Sequence, residues 1–145
     1  MWHIFVLGYG FSLVVGHYIV KLNVDSLWKK IGSGDTIIRH PWHPAFIGMI
    51  ERVMYTSCVL LGWQNFIAVW LALKAVPQWR LWTEGIKDLQ GRAIFNIFLI
   101  GNALSVIYGV AGGLIVKWFI ADEISTAIVV AVLLSLGGLG SLVKS

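Results

Sequence analysis

The chain has 145 residues, 58% of them hydrophobic and 12% charged, with a mean hydropathy of +0.81. That is too apolar for an ordinary soluble domain, and the chain is too short to add a second unit that folds alone. The net charge of +4 comes mainly from segments between apolar blocks, so it reads as a topology signal and not as a nucleic-acid footprint. The single cysteine, Cys58, excludes an intrachain disulfide and a cysteine-based zinc site.

Residues 2–20, 93–116 and 124–143 contain no Asp, Glu, Lys or Arg. Each is long enough to cross a hydrocarbon core of about 30 Å as a helix. The N-terminus has no basic run and no small-residue cleavage site, so it reads as a retained first span that ends near Tyr18 to Lys21. In the loop that follows, Ile31-Gly32-Ser33-Gly34-Asp35 signals a turn, and Pro41 and Pro44 hold the chain out of helix until about Ala45. Residues 45–82 are too long for one span. The turn-like Gly62-Trp63-Gln64-Asn65 divides them into a hairpin with arms 45–61 and 65–82, Pro77 kinking or ending the second. The last two spans, 93–116 and 124–143, are joined by Lys117 to Glu123. The expected fold is a single all-α domain, 1–145: a polytopic membrane helical bundle of five transmembrane helices, or of four plus a re-entrant hairpin.

Five spans gather Lys21, Lys29, Lys30, Arg39, Arg80, Lys87, Arg92 and Lys144 on one side and leave Lys117 beside Asp122 and Glu123 on the other. The positive-inside rule then places the N-terminus outside and the C-terminus inside. The tryptophans agree, with Trp2, Trp63 and Trp118 at the outer belt and Trp28, Trp42, Trp79 and Trp82 at the inner one. Small residues recur every four positions: Gly8, Ser12 and Gly16 in the first span, Gly101, Ser105, Gly109 and Gly113 in the fourth. Such stripes let helix backbones approach closely, within the monomer or at a subunit interface.

One polar constellation lies inside the spans. A hairpin turning at Gly62-Trp63 pairs positions summing to about 125, which sets Glu51 level with Lys74, roughly 10 Å in from the inner interface. Ionised groups at that depth need partners, so Glu51 is expected to pair with Lys74 or Arg52. Tyr55, one turn on, and Asn96, just inside the fourth span, extend the cluster. Its plain role is to fix helix register; its functional role would be a proton- or cation-binding carboxylate. No second carboxylate stands near Glu51 to make an acid–base pair, so no catalytic residue is assigned.

His40 and His43 have a spacing that can clamp a metal, but no further ligand is near in sequence, and an interfacial loop is the plainer reading. His3 and His17 fall on nearly one face of the first helix, about 20 Å apart. A haem on either would need a ligand from another helix, and no other span has a histidine, so no cofactor is expected.

The residues Ile50-Glu51-Arg52, Leu61-Gly62, Ile67-Ala68, Leu73-Lys74 and Phe98-Leu99-Ile100-Gly101 with Ser105 resemble a segment of uncharacterised bacterial inner-membrane proteins, over about residues 48–110. The resemblance implies a bacterial cytoplasmic membrane and no particular activity. The reading from sequence is a non-enzymatic integral membrane protein that acts as a homo-oligomer or as a small subunit of a larger membrane complex. Its partners are the bilayer and other membrane chains. The alternative is a small proton- or cation-coupled transporter or channel using Glu51.

Overall fold

The computed structural model describes residues 2–31, 42–84 and 89–143, which are helical apart from two tight turns. Helix α1 (Trp2–Gly10), a π turn (Phe11–Val15) and α2 (Gly16–Ile31) form one continuous rod, since Gly10 and Gly16 on either side of the π turn keep right-handed helical angles. Four further helices follow: α3 (Trp42–Leu61), α4 (Gln64–Glu84), α5 (Leu89–Ile120) and α6 (Ile124–Val143).

Several boundaries differ from expectation, and α5 runs from Leu89 to Ile120, four residues past the expected span 93–116 at each end and into the expected connection. The first helix does not stop near Lys21 but runs to Ile31, and Lys21, Asp25 and Lys29 succeed one another at the i, i+4 spacing that supports a helix. Helix α3 starts at Trp42 and not Ala45, because Pro44 falls in its first turn, where a missing N–H forfeits no intrahelical bond. Helix α4 contains Pro77 and continues to Glu84, giving up one backbone bond. The expected turn at 32–35, with His40 and Pro41, lies outside the described residues. Two stretches, Trp2–Lys30 and Arg92–Ile120, are long and apolar enough to cross a membrane by length and composition, and Ile124–Gly140 is a shorter apolar one. Among the described residues, helices α3 and α4, which carry Glu51, Arg52 and Lys74, do not reach that mark.

Helix α5 is the axis of the bundle and touches every other helix, α3 most extensively. Its small residues let the neighbours in. A Cβ on Gly109 would stand 2.7 Å from the Cβ of Tyr55, and one on Gly113 2.6 Å from the Cβ of Val59. On another side a Cβ on Gly112 would lie 2.7 Å from the Gly8 carbonyl oxygen. Gly8, Ser12 and Gly16 are all buried. In an unbroken α-helix each four-residue step drifts by about 40°, so three such residues would spiral off the contact. The π turn takes more residues per turn and offsets that drift, keeping all three against the bundle.

The two turns are closed by the same device. Trp63 N–H donates to Cys58 O at 2.8 Å and Gly62 N–H to Val59 O at 3.3 Å, with Gly62 at φ +78°. This is a Schellman cap, which needs a left-handed residue one position beyond the helix end. After α5, Glu123 N–H donates to Trp118 O at 2.8 Å, and Asp122 takes the left-handed position at φ 62°.

Apolar side chains line the interior, with Tyr55, Val59, Tyr108 and Val116 buried, and they also cover much of the outside. Val6, Phe46, Ile50, Val69, Leu73, Val132, Leu133 and Leu136 are exposed, while Ser12, Glu51, Arg52, Thr56 and Ser105 are buried.

Gly62→Ala forces an L side chain into the left-handed region and is expected to destabilise the fold by about 1–2 kcal/mol. Gly137, in α6, has nothing within 4 Å of a Cβ, so Gly137→Ala is expected to leave stability unchanged or raised. Thermal unfolding of the two variants in detergent, followed by circular dichroism, checks both.

Candidate functional site

Glu51 and Arg52 are consecutive, and helix geometry turns their side chains about 100° apart. Glu51 therefore faces α4 and Arg52 faces the rod of α1 and α2 together with α5.

On the α4 side, Glu51 is 3% exposed and is held by Lys74, whose Nζ stands 2.6 Å from Oε1 and donates to Oε2 at 2.7 Å. Trp70, one turn before Lys74, donates from Nε1 to Oε1 at 3.2 Å. Lys74 also donates to Asn102 Oδ1 at 2.5 Å and sits 5.5 Å above the centre of the Phe98 ring. Asn102 donates in turn to Phe98 O at 2.7 Å. The carboxylate thus ties α3 to α4, and Lys74 carries the tie on to α5. Lys74 is a quarter exposed at the wall of a groove of about 350 Å³ between α4 and α5, otherwise lined by Leu71, Ala72, Ala75, Leu99 and Ala103.

On the other side, Arg52 is 1% exposed. Its Nη1 donates to Ser105 Oγ at 3.3 Å, and its Nε meets no acceptor. It packs against the bare α-carbon of Gly16, whose Cβ would come within 3.0 Å of Arg52 Cδ. One turn on, Thr56 donates to Gly109 O at 2.9 Å and lies 3.2 Å from Ser12 Oγ. Ser57 donates to Val53 O at 2.8 Å, which leaves Tyr9 as the donor in its 2.7 Å contact with Ser57 Oγ. Tyr55 is fully buried in the apolar cluster with Cys58, Val59 and Ile67, and its hydroxyl has no partner.

Of the residues singled out from sequence, Glu51 and Lys74 meet directly. Arg52 is close by in sequence but faces away from both, and it does not pair with Glu51 among the described contacts. Asn96 does not join the cluster. It is exposed, and Asn102, six residues or about 240° further round α5, takes that place. The small-residue stripes are spent on packing inside the chain: Gly8 on Val116, Gly16 on Tyr108, Ser105 on Arg52, Gly109 on Tyr55, Gly113 on Val59, and Gly101 near Val24. Two partners of Glu51 and Lys74 were not in the expected cluster. Trp70 had a signal, as the one tryptophan set well inside an expected span and away from its ends; Asn102 needed the rotation of α5, which sequence spacing does not supply. No group of three metal-binding side chains occurs among the described residues. His17 is half-buried with its ring edge-on to Tyr18 at 5.8 Å, and His3 is exposed near the start of α1. His40 and the side chain of His43 lie outside the described residues.

No known family model matches the chain, and neither curated proteins nor solved structures give a match.

Removing one member of a buried ion pair strands the other. Lys74→Met and Glu51→Gln are each expected to destabilise the fold by about 3 kcal/mol, and the double variant by clearly less than the sum. A double-mutant cycle on unfolding in detergent measures that coupling; additive losses would show that the pair contributes nothing.

Proposed function

We propose that the chain is a non-enzymatic integral membrane protein that works by contact, as a homo-oligomer or as a small subunit of a larger membrane complex. The observation that carries this reading is the apolar outer face of the bundle, with charged and hydroxyl side chains sharing the interior with an apolar core. Glu51, Arg52 and the hydroxyls of Ser12, Thr56 and Ser105 turn inward, and many long apolar side chains cover the outside. Water would penalise such a surface, whereas hydrocarbon accepts it. In this reading the five rods are five spans, with the N-terminus outside and the C-terminus inside a bacterial cytoplasmic membrane. The Glu51–Lys74 pair is then a register pin. The carboxylate is buried and engaged by two donors, which supports a structural role over an exchangeable ion site.

With the glycines of α5 engaged internally, the faces left for partners are the outer ones, such as that of α6 with Val132, Leu133 and Leu136. Helix α6 itself rests only on α5 and α2 among the larger contacts. Native mass spectrometry of the protein released from its own membrane in mild detergent tests the reading. The expected result is a defined multiple of the chain or a mass that includes other membrane subunits. A bare monomer, or protein extracted from membranes by alkaline carbonate, would overturn it.

A second reading, a proton- or cation-coupled transporter or channel using Glu51, draws on one observation: the counter-charge Lys74 opens to the α4–α5 groove, so its displacement would free the carboxylate. It requires proton or cation flux in proteoliposomes that Glu51→Gln abolishes in a folded protein. The contact reading expects no flux from either form.

A further inference from the structure

The groove between α4 and α5 continues past Lys74 toward the start of α5. Its lining residues Leu99 and Ala103 share a helix face with Asn96 and Arg92, since these positions recur at steps of three and four residues. All four are exposed. On α4 the lining residues Ala72 and Ala75 lead in the same way to Trp79, which is also exposed. Helix α3 runs parallel to α5, with Arg52 on Ser105, Tyr55 on Gly109 and Val59 on Gly113, and α4 returns antiparallel to both after the Gly62 turn. Lys74 meets α5 between Phe98 and Asn102. Trp79, five residues on, therefore lies about 7.5 Å further along, level with the turn of α5 that joins Arg92 to Asn96.

The two ends of this channel differ in chemistry. At Lys74 the ammonium is turned to the Glu51 carboxylate and to Asn102 Oδ1, so the side chain offers the groove its hydrocarbon stem beside the alanines and Leu99. At the other end stand a guanidinium, a carboxamide and an indole. A guanidinium fork suits phosphate oxygens, a carboxamide adds a donor, and an indole favours the headgroup level of a bilayer. An amphiphile with a phosphate head and an acyl tail matches both ends at once. A second copy of the chain is the poorer occupant. A two-fold axis along the membrane normal through the groove would set two Arg92 guanidiniums side by side at one depth.

We propose that this channel binds a phospholipid with an anionic headgroup, its phosphate on Arg92 and Asn96 beside Trp79 and one acyl chain in the α4–α5 groove. This site presupposes the membrane reading but no particular assembly. On that reading its basic end faces the inner leaflet, where anionic lipids are held by Arg and Lys near the surface.

The test delipidates the full chain in mild detergent. It is then titrated with dioleoyl phosphatidylglycerol, with dioleoyl phosphatidylcholine, or with glycerol phosphate, which has a head and no chain. Native mass spectrometry counts retained molecules, and circular dichroism follows thermal unfolding. Wild type is expected to retain one phosphatidylglycerol per chain and to gain about 2–4 °C in Tm. Phosphatidylcholine should bind about 5-fold more weakly, and glycerol phosphate should have no effect. Arg92→Gln, at an exposed position, should weaken phosphatidylglycerol about 10-fold. Ala103→Leu fills the groove from an exposed position and should lose both lipids. Lys29→Gln, an exposed cation on α2 outside the groove, should bind as wild type does. Equal retention of the two lipids by wild type would overturn the proposal, as would a Tm rise reproduced by glycerol phosphate. So would phosphatidylglycerol binding unchanged in both Arg92→Gln and Ala103→Leu, or a loss in Lys29→Gln equal to that in Arg92→Gln. A chain that resists alkaline carbonate yet retains no phosphatidylglycerol refutes this site alone, whereas extraction by carbonate refutes the membrane reading beneath it.

Discussion

Two opposite charges side by side on one helix set the terms for the rest of this structure. Glu51 and Arg52 cannot face the same neighbour, since consecutive helical positions diverge by about 100°. Helix α3 therefore has to be covered on two sides, by α4 and by the rod of α1 and α2 together with α5, for both to be buried. Each side answers differently. The α4 side brings a cation, Lys74, with an indole and an amide behind it. The other side brings a hydroxyl and the bare α-carbon of Gly16.

Burial on that second side is possible because α5 is thin where α3 crosses it. The Gly109 and Gly113 contacts put side-chain carbons of α3 against backbone, and Thr56 uses the same closeness to reach the Gly109 carbonyl. A larger residue at either glycine would push α3 outward and expose Arg52 and Thr56 together. Packing and polar pairing here are one arrangement. The small residues set the distance, and the hydroxyls and charges use it.

Much of this could be read from the sequence because it follows from spacing along single helices. Positions that sum to 125 across a hairpin turned at Gly62 put Glu51 opposite Lys74, and the structure places them in contact. Gly62 itself is legible, as a glycine after an apolar run where a left-handed cap is needed. What could not be read depends on rotation between helices distant in the chain. Asn96 and Asn102 both sit in the charge-free stretch of α5, and only the angle at which α5 meets α4 makes Asn102 the partner. The length of the first helix was obscured for another reason. The charges of residues 21–30 suggest a loop, yet they are spaced so that a helix can bring opposite signs together. The π turn left no sequence mark except that Gly8, Ser12 and Gly16 all had to stay buried.

The polar contacts also differ from those of a soluble core in where they fall. Tyr9 to Ser57 joins α1 to α3, Thr56 to Ser12 joins α3 to the π turn, and Thr56 to Gly109 and Arg52 to Ser105 join α3 to α5. Lys74 joins α4 to α3 and α5, and Tyr108 donating to Leu134 O at 2.8 Å joins α5 to α6, beside a Gly138 that has no room for a Cβ. The contacts of α3 with α1, the π turn, α4 and α5, and those of α5 with α4 and α6, thus each carry a directional bond. Apolar area alone would hold such helices together in water, but it gains little between helices surrounded by lipid. Between smooth apolar cylinders it also leaves sliding and rotation nearly degenerate. A bond of fixed length removes that degeneracy, and an unsatisfied partner makes each wrong register unfavourable. On the membrane reading, these bonds choose the arrangement among the many that apolar surfaces would allow.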